Sequence, residues 1–120
     1  MANEITTSVS FVAAKGGASI NFSGTKTSDL NGTEMTSIVQ EFTTSDSQAV
    51  SLGGVDQVQV LAIKNMDSTN SLTISLNGTH TQVVSVIPPG ANILLYGTSL
   101  TLYGKSSAGV VAAFIAVAEN

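Results

Sequence analysis

Cysteine, arginine and tryptophan are absent from this chain of 120 residues, and histidine occurs once, as His80. Without cysteine there is neither a disulfide framework nor a thiolate metal centre. Without arginine, and with four lysines (Lys15, Lys26, Lys64, Lys105) set singly along the chain, there is no basic cluster to displace counterions from phosphates. No nucleic-acid partner is therefore expected. Charged residues make up 10% of the chain, against about 25% in an average soluble domain. The net charge is −4 and the acidic residues are scattered, so no charged arm marks a partner. The longest apolar run, residues 110–118, is under half the roughly 20 residues of a membrane-spanning helix. Met1-Ala2-Asn3-Glu4 shows no basic region leading into an apolar stretch, so neither a signal peptide nor a membrane partner is expected.

What the chain does contain is material for strands. Serine and threonine supply about a quarter of it, and apolar residues 42%. A chain of this length buries enough surface for an independent core. The dominant hydrophobic period is two, the mark of a strand with one buried face. Ile5, Thr7, Val9 and Phe11 alternate with Thr6, Ser8 and Ser10, and Ala18, Ile20 and Phe22 resume the alternation after Gly16-Gly17. This predicts an N-terminal hairpin closed by a glycine pair. Further strands are predicted over residues 35–43, 48–52, 57–64, 92–96, 99–103 and 110–118, with 57–64 central because it is apolar on both faces. Leu72, Ile74 and Leu76, then Asn77-Gly78, then residues 79–87 predict a hairpin on a two-residue type I′ turn. Pro88-Pro89-Gly90 ends it. About nine strands with turns between them and no helical period predict one all-β domain over residues 1–120, an antiparallel β-sandwich or barrel. The region before Gly54 is more polar and loosely patterned, which suits a hairpin or arm within residues 1–54 that packs on a neighbouring subunit.

Catalytic readings find little support. A lone histidine needs carboxylates to hold a metal, and the neighbours of His80 supply none. It is read as solvent-facing or hydrogen-bonded. No nucleophile elbow marks a Ser-His-Asp arrangement. The nearest carboxylate pairs in sequence, Asp29 with Glu34 and Glu41 with Asp46, fall in or beside loops. Residues 67–70 are rich in side-chain oxygens but lack the calcium-loop spacing, and read as a turn. Gly16-Gly17 and Gly53-Gly54 are not followed by a phosphate-loop lysine. The expectation is a non-enzymatic protein with no cofactor and no metal.

The last strand differs from the others. Residues 110–117 are apolar on both faces, so each face needs a cover. One cover is the core. The other is either a neighbouring subunit or a loop lying over small alanines. On the first alternative Val110, Ala112, Phe114 and Ala116 form the candidate subunit interface.

The second half of the chain carries a longer pattern. Val60-Leu61-Ala62-Ile63-Lys64-Asn65-Met66-Asp67-Ser68-Thr69-Asn70 leads into the hairpin and Ile87-Pro88-Pro89-Gly90. Leu100-Thr101-Leu102-Tyr103-Gly104-Lys105 and a closing apolar strand that ends Ala118-Glu119-Asn120 follow. Together with the opening Asn3-Glu4-Ile5-Thr6 and the Lys15-Gly16-Gly17 turn, this succession resembles small structural proteins of tailed-phage virions, in particular all-β capsid decoration or cement proteins. The resemblance implies a jelly-roll-like sandwich, a homotrimer, and a virion location reached from the host cytoplasm. It further implies that the partner is the major capsid protein or another virion protein, bound so as to stabilise the head. A tail, tail-fibre or head-fibre component is the alternative, and a carbohydrate-binding β-sandwich module, with Tyr96 and Tyr103 as stacking groups, the third. On these grounds Phe114→Asp is expected to block assembly or folding, because an unpartnered buried charge costs several kcal/mol.

Overall fold

The computed structural model describes residues 4–98 and 101–120. Among them are nine strands and no helix: β1 (Ile5–Lys15), β2 (Ala18–Ser28), β3 (Met35–Phe42), β4 (Val58–Asn65), β5 (Leu72–Ser75), β6 (Val83–Ile87), β7 (Asn92–Thr98), β8 (Tyr103–Ser106) and β9 (Val111–Glu119). All pair antiparallel, in three sheets ordered β1-β2, β3-β9-β4-β7 and β6-β5-β8. The chain forms two compact units, Met1–Asn31 and Gly32–Asn120.

The first unit is a two-stranded ribbon. Lys15 pairs with Ala18 across Gly16-Gly17, whose φ angles of 60° and 85° suit a turn that needs two left-handed residues. The strands run on to the Ile5–Ser28 pair, well past the residues whose alternation announced them. Glu4 accepts a hydrogen bond from the Leu30 amide at 3.0 Å, and this bond lowers its pKa.

The second unit is built on β9, which lies between β3 and β4. Its odd-numbered residues point into the core. Ile115 stands opposite Ile38 on one side and Ile63 on the other, and Ile63 stands opposite Ile93, so a row of four isoleucines crosses the whole sheet. β-Branched side chains pack well on a pleated surface, and each fully buried isoleucine contributes on the order of 1.5–3 kcal/mol. Leu72, Ile74 and Ile87 of the three-stranded sheet join the same core cluster. So do Val50 and Val55 from residues 43–57, with Leu52 packed against them.

Residues 43–50 run along the outer edge of β8. Gly104 and Ser106 donate backbone hydrogen bonds to Gln48 and Thr43, both at 2.9 Å, and Val50 donates to Leu102 at 2.8 Å. The strand expected over 48–52 is thus reduced to one bridge, Ala49 to Tyr103. Gln40 ties this segment to β3, donating to Ala49 O and accepting from the Ser51 amide, both at 2.8 Å. The strand expected over 99–103 falls partly on residues outside those described. Its neighbours Gly104, Lys105 and Ser106, expected as a turn, belong to β8. The reason is packing: the Phe42 ring fills the space a Cβ on Gly104 would occupy, with Cε1 2.5 Å from that point.

The β5–β6 hairpin also departs from expectation. Seven residues, 76–82, join the strands instead of a two-residue Asn-Gly turn. Asn77 folds the loop locally, its Oδ1 accepting from the Thr81 and Gln82 amides at 3.0 and 3.2 Å. The left-handed residue is His80, at φ 59°. Gly78 is needed for close approach, since a Cβ there would lie 2.5 Å from Ser47 Oγ.

Asn65, fully buried at the end of β4, holds three segments together. Its Nδ2 donates to Asn70 O at 2.9 Å and Ile87 O at 3.0 Å, and its Oδ1 accepts from the Asp67 amide at 2.9 Å. A buried amide with every polar atom satisfied is stabilising, and its loss strands its partners. Asp67 closes the adjoining turn by accepting from the Thr69 and Asn70 amides. The Asn70 bond, followed by the Thr69 bond, holds its carboxyl below the usual aspartate range.

Gly104→Ala is expected to destabilise the fold by about 1–3 kcal/mol through overpacking. Adding Phe42→Leu should then cost less than Phe42→Leu alone, a coupling that urea denaturation of the double-mutant cycle measures. Because the folded pKa of Asp67 is depressed, its contribution is full above the unfolded aspartate value and is lost as pH falls below about 4. Asp67→Ala should therefore flatten the acid limb of a plot of thermal midpoint against pH.

Candidate interaction surface

The even-numbered residues of β9 face away from the core, and their neighbours extend that face across four strands. One row runs Met35, Ala118, Val60, Tyr96; the next Ser37, Ala116, Ala62, Leu94; the third Val39, Phe114, Lys64, Asn92. Ala112 follows, opposite Glu41. Of the twelve positions in the three full rows only Ser37, Lys64 and Asn92 are polar or charged. Met35, Val39, Tyr96 and Phe114 are exposed large side chains, while Ile115, one residue from Phe114, is completely buried. With strands about 4.8 Å apart and like-facing residues about 6.7 Å apart, the face covers on the order of 400 Å². That lies within the range of the largest apolar patch on a typical monomer, which is often functional; Val60 within it is buried. The alanines Ala62, Ala112, Ala116 and Ala118 keep its middle low, so its relief comes from the flanking Met35, Val39, Phe114 and Tyr96.

Three of the four residues singled out in the sequence, Ala112, Phe114 and Ala116, lie side by side on this face. Val110, the fourth, precedes β9 and is exposed. Phe114 is 42% exposed. A charge placed there keeps contact with solvent, so of the two outcomes expected for Phe114→Asp, loss of assembly is the one that this position favours. Sequence reasoning missed the contributions of Met35, Val39, Leu94 and Tyr96. Their alternation was visible, but which strands flank β9 was not.

The single histidine sits in the 76–82 loop. Its Nδ1 lies 2.8 Å from Ser75 Oγ, and its Nε2 is buried with no hydrogen-bond partner. Ser75 is itself fully buried. Asp46, the neighbouring carboxylate, is held by Lys105 Nζ at 2.8 Å. That hydrogen bond lowers its pKa, helped by the charge of Lys105 and, more weakly, of His80. The Ser75 hydroxyl is buried against the His80 ring, and the Asp46 carboxylate is paired with Lys105. Glu119 is likewise committed to backbone, its Oε1 accepting from the Thr33 and Glu34 amides at 2.8 and 3.3 Å. Among the described residues no three or more His, Asp or Glu side chains are grouped to hold a metal ion.

No protein-family model, curated protein or solved structure matches this chain.

The inward–outward parity of β9 makes a sharp prediction. Phe114→Asp should keep its cooperative thermal transition to within about 1 kcal/mol, as surface substitutions usually do. Ile115→Asp should abolish it, because the charge enters the core. Circular dichroism melts of the two variants make the comparison.

Proposed function

We propose that this protein is a non-enzymatic structural component of a tailed-phage virion, a decoration or cement subunit docked on the major capsid lattice. The observation that carries this reading is the broad, low, mostly apolar outer face of the β3-β9-β4-β7 sheet. It runs unbroken across four strands, with Ala62, Ala112, Ala116 and Ala118 low in its middle and Met35, Val39, Phe114 and Tyr96 standing beside them. The 32–120 unit is read here as a β-sandwich of jelly-roll type, with its four- and three-stranded sheets sharing one core. The sequence resemblance points the same way.

The mechanism is additive. A flat face of small side chains orders few rotamers on docking, which keeps the entropic cost low. One copy binds modestly, and contacts among copies repeated over a lattice convert modest affinity into avidity. The head is favoured over the tail because the sequence resemblance is to capsid decoration proteins.

Purified protein added to mature heads from a phage strain lacking its gene should co-sediment with them. Saturation is expected at a fixed ratio to the major capsid protein, with improved survival of the heads on heating. Phe114→Asp, folded as above, should lower the bound amount at least tenfold. Absence of co-sedimentation, or binding confined to tails, would overturn the head assignment.

A further inference from the structure

We propose that the apolar face of the β1–β2 ribbon binds the same face of a second copy of this chain. The ribbon is one-sided. Directly opposite residues share a face, which places Val9, Phe11 and Ala13 with Gly24, Phe22 and Ile20. The other face carries Ser8, Ser10 and Val12 with their partners Thr25, Ser23 and Asn21; Val12, 69% exposed, is its one large apolar side chain, and the Ser8 and Thr25 hydroxyls lie 3.2 Å apart. Phe11 is 54% exposed, and Phe22 and Ile20 58% each. An isolated two-stranded hairpin is marginal in water and needs something to cover its apolar face. The cover has to be present whenever the ribbon is formed, and a second copy is present wherever this chain is.

The relief of the face is what selects that occupant. The Phe11–Phe22 row stands high, with the low Val9–Gly24 pair on one side. On the other, towards the tip, is an open depression lined by Ala13, Ala14, Lys15, Ala18, Ser19 and Ile20. A second ribbon laid face to face and antiparallel, about a two-fold axis between ring row and depression, seats each copy's rings in the other's depression. Such an isologous contact needs one self-complementary patch and closes on itself. The middle of the face carries no charge, and the antiparallel arrangement keeps the two Lys15 ammonium groups apart. Val9, Phe11, Ile20 and Phe22 are each about half exposed, so roughly half of the 150–250 Å² of each phenylalanine is there to be buried, and two copies together bury on the order of 800 Å², the size of a weak, transient contact. The association is therefore concentration-dependent. It is independent of the capsid reading, which rests on the other unit.

The test is light scattering on the full chain over a wide concentration range, beside two charge variants. Wild type should show a multiple of the monomer mass that falls on dilution. Phe11→Lys/Ile20→Lys should be monomeric throughout, and Ser10→Lys, on the polar face, should keep the wild-type mass. Both tyrosines lie in the 32–120 unit, so an unchanged near-ultraviolet circular dichroism melt shows that the double variant has lost assembly and not its core. Since the chain has no native cysteine, Phe11→Cys should cross-link between copies with a short bis-maleimide at least tenfold faster than Ser10→Cys. A wild type monomeric at every concentration, a double variant of wild-type mass, or equal cross-linking from both positions would each overturn the inference. Assembly lost in the double variant supports it whether or not heads are bound.

Discussion

The pairing of β9 with β3 on one side and β4 on the other is the constraint on which the 32–120 unit depends. It brings segments that are far apart in sequence into one sheet and aligns Ile38, Ile115, Ile63 and Ile93 in a single row. A one-residue slip in this register would turn every core side chain of β9 outward. The register therefore fixes two surfaces at once. Odd-numbered residues make the core, and even-numbered residues make the apolar outer face on which the proposed docking role rests.

Around that sheet the polar groups are placed to close edges and ends. Gln40 links β3 to residues 49–51 through its side-chain amide, which satisfies the Ala49 carbonyl and the Ser51 amide. Residues 43–50 do the same for β8 through the main chain. Asn65 gathers the ends of β4 and β6 with the 65–70 turn. Most of these bonds run from side chain to backbone, which explains how a fold with few charges is stabilised. Amides and hydroxyls are cheaper to bury than ions when each finds a partner. The Lys105–Asp46 pair lies at a partly exposed site where an ion pair contributes little.

The two units meet the problem of covering a sheet in different ways. In the larger, one face of the four-stranded sheet packs into a core shared with the three-stranded sheet. The ribbon has two strands, and Phe11 and Phe22 stand side by side on one face with about half their surface open. An amphipathic two-stranded ribbon is an incomplete object, which makes self-association the physically economical completion.

Much of the fold was legible in the chain. Hydrophobic patterning located β3, β4, β5, β7 and β9 to within two residues at each end, Gly16-Gly17 announced its turn, and residues 57–64 read as a central strand because they are apolar on both faces. The misreadings share a cause. Asn77-Gly78 matches a two-residue turn, but Asn77 bonds forward to Thr81 and Gln82 and Gly78 is pressed against Ser47. Gly104 resembles a turn glycine and is a strand residue that makes room for Phe42. A glycine in a sequence says that something needs space or an unusual φ, and only the tertiary neighbours say which. For the surface, the parity of a strand determined that Ala112, Phe114 and Ala116 share a side. It did not determine that Met35, Val39, Leu94 and Tyr96 complete the face, because strand order is set by long-range pairing and leaves no local mark. Periodicity is a property of one segment and is written in its residues. Neighbourhood is a property of segments brought together, and only the folded chain decides it.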